Sequence, residues 1–201
     1  MNKIINIIVI YTKSLNNRTQ YINSTLTFLK NLCEKHNLKV NIIIIDSPGN
    51  NDILTDTEKY NKRVNYDKIE NCEYNNNIIP LNPNQISNIE KQRNALLKVK
   101  ENEYNLILED DVIISKDYID NIELLLKNIN ILEKLDILIT SDFIYNENKN
   151  IELLSFKEYD KILISKSSYF INKKAADKLF ESTDIFKYDY KVSLTKFLKN
   201  N

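Results

Sequence analysis

With 201 residues and a mass of 23.7 kDa, the chain is long enough to bury a core as one domain, which excludes a disulfide-stapled miniprotein. Its 28 basic and 28 acidic residues cancel, leaving no chain-wide field for a phosphate backbone and disfavouring general nucleic-acid binding. A hydrophobic share of 42% argues against global disorder.

Residues 4–11 are a nearly unbroken β-branched run, the pattern of a strand covered on both faces. From 17 to 36 the apolar positions Ile22, Leu26, Leu29, Leu32 and Cys33 recur at helical spacing, and 40–45 reads as a second buried strand ending at Asp46. After the turn signal Ser47-Pro48-Gly49-Asn50, residues 50–77 lack sustained periodicity and read as a long surface excursion with a short hairpin or helix inside. A third strand is expected over 77–81, stopped by Pro83, and Ile86, Ile89, Leu96 and Val99 mark a helix reaching Lys100. The fourth expected strand, 104–108, runs straight into Glu109-Asp110-Asp111, and one helix then carries Ile119, Ile122, Leu125, Leu126, Ile129 and Leu132. A strand over 136–143, a turn over 146–150, a strand or strand pair over 162–171, a short helix over 173–180 and a helical tail over 190–198 complete the reading. With no Gly-, Pro- or Ser-rich linker and no repeat, these elements predict a single α/β domain over 1–201, a mostly parallel central sheet flanked by helices.

The single glycine, Gly49, excludes a Walker loop and a dinucleotide-binding GxGxxG, both of which need several glycines for close backbone approach. One histidine, His36, and two cysteines, Cys33 and Cys72, fit no zinc motif, and the cysteines read as unpaired thiols. Any chemistry therefore runs on carboxylates. No apolar run approaches the roughly 18 residues that span a bilayer. Asn6 interrupts the N-terminal apolar run and no small-residue cleavage site follows, so a soluble, cytoplasmic setting is the expectation.

In open α/β sheets, ligands bind beyond the carboxyl ends of the strands. Three such ends carry polar residues: Tyr11-Thr12, Asp46 and Glu109-Asp110-Asp111. Consecutive carboxylates between Leu108 and Val112 repel and lose hydration, so they call for a counter-charge. A hard divalent cation, Mg²⁺ or Mn²⁺, meets that need, with phosphate oxygens and waters completing its shell, which implies a phosphorylated ligand. The competing reading, an exposed turn capping the next helix, is weaker because Ser115 or Asp117 suits that place better. Arg93, one of three arginines, either binds a diphosphate or sugar or is an ordinary helix charge.

Residues 86–115, ISNIEKQRNALLKVKENEYNLILEDDVIIS, resemble the core of a glycosyltransferase of the GT-A fold, with an Arg-Asn pair on a helix, a strand and an acidic motif. Downstream, SSYFINKKAA at 167–176 followed by Leu179-Phe180 is similar to a segment of glycosyltransferase family 25, the lipooligosaccharide and procollagen galactosyltransferases, whose acidic motif is likewise Glu-Asp-Asp. The Arg93-Asn94 pair is closer to family 2. The resemblance implies a nucleotide-sugar half over 1–111 and a reduced acceptor half over 112–201, which points to a partner domain or a second copy.

By the same resemblance, Tyr11, Thr12, Asp46, Arg93, Glu109 and Asp110 line the nucleotide-sugar site. Asp111, with Glu109, would hold Mn²⁺ or Mg²⁺, and Asp189 would be the base for the acceptor, with Asp184 and Asp142 as alternatives. The implied activity is transfer of galactose or glucose from a UDP-sugar to a protein, glycan or lipid-linked acceptor. Two other readings stand beside it: a non-catalytic GT-A-like binding module, and a nucleotidyltransferase-like enzyme that the missing phosphate loop disfavours.

Overall fold

The computed structural model describes residues 3–13, 16–61, 82–112, 115–140 and 168–183. In chain order these give β1 (Ile4–Ile10), α1 (Asn16–Lys35), β2 (Lys39–Ile45), α2 (Asn50–Thr55), α3 (Thr57–Asn61), α4 (Pro83–Leu96) and β3 (Tyr104–Glu109). Then come α5 (Lys116–Lys127), a 3-10 turn (Ile129–Lys134), β4 (Ile137–Ile139), β5 (Ser168–Ile171) and α6 (Lys173–Ser182). The excursion expected from residue 50 opens with two short helices. The strand expected over 77–81, the turn over 146–150, the tail over 190–198 and Cys72 lie outside the described residues.

The described strands form one sheet in the order β2-β1-β3-β5-β4. β1 pairs parallel with β2 and with β3, whereas β5 runs antiparallel to both β3 and β4. The sheet is therefore mixed, which corrects the expectation of a mostly parallel one. The reason is local: β4 and β5 have three and four residues, all but Ile137 of them buried, and an apolar run covered on both faces reads the same in either direction.

The crossovers from β1 to β2 and from β2 to β3 leave β1 on opposite sides, and right-handed connections then place their helices on opposite faces. One face packs α1 and α5, through Ile22, Leu29, Leu32, Ile122 and Leu125, on Ile5, Ile7 and Val9. The other packs α4 and α6, through Ile86, Ile89, Leu96, Ala176 and Leu179, on Ile8, Ile10 and Ile107. Cys33 belongs to the first face, and burial pushes its thiol up to about 12, which makes it a small apolar filler.

Register is pinned near the amino ends of the strands. Asn6, fully buried, accepts from Asn41 Nδ2 at 2.9 Å on β2 and donates to Asn105 Oδ1 at 3.0 Å on β3, in register with both. A one-residue slip of either neighbour would strand these amides without partners. Helix starts follow sequence chemistry: Asn82 and Gln85 form a capping box ahead of Pro83, Ser115 caps α5, and Asn172 caps α6. The helix expected to run on from 116 breaks at Asn128, whose side chain bonds back to Leu124 O at 3.0 Å. Ile129 and Leu132 keep the apolar face through the 3-10 turn that follows, which is why the periodicity gave no sign of a break. Among the described residues no helix is long and apolar enough to cross a membrane.

Candidate functional site

Strand β1 connects to β2 on one side while the chain returns to β3 on the other, so the loops after β1 and β3 part at their carboxyl ends. This is the position where open α/β sheets bind ligands. The last rung of the β1–β3 ladder is Ile10 with Glu109, and the expected residues Tyr11, Thr12, Asp110 and Asp111 emerge immediately beyond it.

The structure brings Thr12, Asp110 and Asp111 together. Asp110 is 4% exposed and both its oxygens are engaged: Oδ2 accepts from the Thr12 amide at 2.6 Å, and Oδ1 accepts from Arg18 at 2.5 Å. Arg18 stands in the first turn of α1, and its guanidinium also lies 3.7 Å from Asp111, whose side chain is half exposed. Burial opposes the charge on Arg18, but the hydrogen bond and charge of Asp110, aided by Asp111 and Glu109, outweigh it and raise its pKa. Ser115 caps α5, so the acidic triplet does not serve that helix start.

Glu109, expected beside Asp111 on a metal, points elsewhere. Successive residues leaving a strand face opposite sides, and its carboxylate accepts from Gln92 Nε2 at 2.7 Å on α4. Gln92, fully buried, in turn accepts from Tyr169 on β5 at 3.1 Å, so this chain of bonds ties α4 across two strands. Asp46 lies after β2 and pairs with Lys13, whose hydrogen bond holds its carboxyl below the usual range. Tyr11 donates its amide to Ile45 O at 2.8 Å, extending the β1–β2 ladder, and its hydroxyl meets Thr19. Arg93 is not brought to the crevice. It is 3% exposed, donates to Phe180 O at 2.7 Å and Thr183 Oγ1 at 3.1 Å, and stacks 4.1 Å over the Phe180 ring. Asp142, Asp184 and Asp189 lie outside the described residues.

Sequence reasoning missed Lys91. It is 3% exposed and sits on α4 between Ser87 and Asn94, which bond the carbonyls of Pro48 and Ser47, and beside Gln92, which bonds Glu109. Its ammonium forms no hydrogen bond or ion pair with a described residue. Burial lowers its pKa, opposed in part by the charges of Asp110, Asp46 and Asp52. The only signal in the sequence was a lysine amid the apolar positions of that helix. Burying most of a charged side chain costs hydration, so Lys91→Met is expected to raise stability by about 1 kcal/mol. The folded-state pKa lies below the unfolded one, so between them the unfolded chain binds more protons. The stability deficit of the wild type relative to Lys91→Met should therefore shrink as pH rises through that window, which urea titrations from pH 7 to 10 would check.

The donor set bears on the expected cation. Among the described residues no three His, Cys, Asp or Glu side chains converge as a metal group. Of the carboxylates expected to hold Mg²⁺ or Mn²⁺, Asp111 is half exposed, Glu109 is turned to Gln92, and both oxygens of Asp110 are engaged by Thr12 and Arg18, which stands as the cation there. No protein-family model, curated protein or solved structure matches the chain.

Proposed function

We propose that the chain is a GT-A-type glycosyltransferase that transfers a sugar, galactose or glucose, from a UDP-sugar to a protein, glycan or lipid-linked acceptor. The observation that carries the reading is the convergence of Thr12, Arg18, Asp110 and Asp111 where the loops after β1 and β3 part, with Asp46 at the neighbouring strand end. The strand order supports it, because β2 and β3 flank β1, and the loops after β1 and β3 part at the carboxyl ends of these strands. In this reading Asp46 takes the ribose or base, and the Thr12 amide and Asp110 fix the loop against the strand end. Asp111 faces the diphosphate, and Arg18 supplies positive charge beside it. A bound Mg²⁺ or Mn²⁺ would neutralise the charge that develops on the departing nucleoside diphosphate.

The test is release of free nucleoside diphosphate from UDP-galactose, UDP-glucose and their GDP counterparts, with and without Mn²⁺ and simple glycoside acceptors. The expected result is Mn²⁺-dependent release from one uridine donor, lowered on the order of 100-fold in Asp111→Asn with an unchanged melting temperature, because Asp111 is half exposed and little of the fold rests on it. Release that is absent for every donor, or that Asp111→Asn leaves untouched, contradicts the assignment.

A further inference from the structure

We draw no further inference here: the strongest candidate, the apolar strand β2 at the edge of the described sheet with Ile42 and Ile44 exposed on the face that packs α1, carries none because nothing in the structure shows what covers it.

Discussion

Replacing Asp110 with alanine is expected to lower stability by about 2–3 kcal/mol and to abolish nucleotide binding in the same variant. Both carboxylate oxygens carry a charge-assisted bond, and hydrogen bonds to charged groups are worth roughly 1.5–3 kcal/mol each without being additive. The cost stays below the sum because Arg18 is a third exposed and regains water, whereas the Thr12 amide loses its acceptor. For a chain of this size that loss corresponds to a fall of about 5–10 °C in melting temperature. Asp110→Asn separates the contributions: its amide oxygen still accepts from Thr12, so it should lose roughly half as much stability while losing the ion pair entirely. Thermal and urea unfolding of the two variants, with UDP titrations on each, give the comparison. A melting temperature unchanged in Asp110→Ala would show that the loop after β1 is not anchored through this carboxylate.

Arg93→Ala is the second large effect, and it should fall on stability alone. The side chain bonds the last turn of α6 through Phe180 O and Thr183 and lies over the Phe180 ring, so its removal opens a void between α4 and α6 and leaves Phe180 O to the Thr183 amide and hydroxyl alone. Lost hydrogen bonds, a desolvated cation–π contact and the void together cost on the order of 3–4 kcal/mol. Arg93→Lys keeps a charge but not the planar fork, and should recover less than half. UDP affinity of the folded fraction should stay within twofold in both variants. A stable Arg93→Ala that had lost UDP binding would return Arg93 to the nucleotide, as the sequence allowed.

The outcome at Arg93 illustrates where sequence reading reaches. Strands β1, β2 and β3 were legible because Ile4–Ile10, Lys39–Ile45 and Tyr104–Glu109 are largely apolar runs, and the acidic triplet stood out because it ends one of them, but β2, read as a buried strand, lies at the sheet edge with Ile42 and Ile44 40% and 47% exposed. The direction of β5 was not legible, since Ser168–Ile171 is buried throughout and carries no polarity of direction. Glu109, Asp110 and Asp111 looked like one cluster, yet the alternation of side chains at a strand end sends Glu109 to Gln92 and Asp110 to Arg18. Arg18 and Lys91 were missed for a different reason. In a chain with 28 basic residues a single cation on a helix has no pattern to betray it, and only the packing shows that Arg18 pairs with Asp110 and that Lys91 is largely buried. The caps were legible, because Asn82, Ser115 and Asn172 are residue types that accept from a helix's first free amides.

The central claim is that the crevice beyond β1 and β3 binds a nucleotide diphosphate with a divalent cation. Its most direct test is a thermal-shift panel of UDP, GDP, CMP and their sugar conjugates, each with and without Mn²⁺, because a ligand that binds only the native state raises its stability in proportion to its occupancy. The account predicts a rise with uridine nucleotides that requires Mn²⁺ and disappears in Asp111→Asn. A panel in which no nucleotide shifts the transition, with or without Mn²⁺, would contradict it and leave Asp110 and Arg18 as an ion pair that only fastens the loop after β1 to the end of β3.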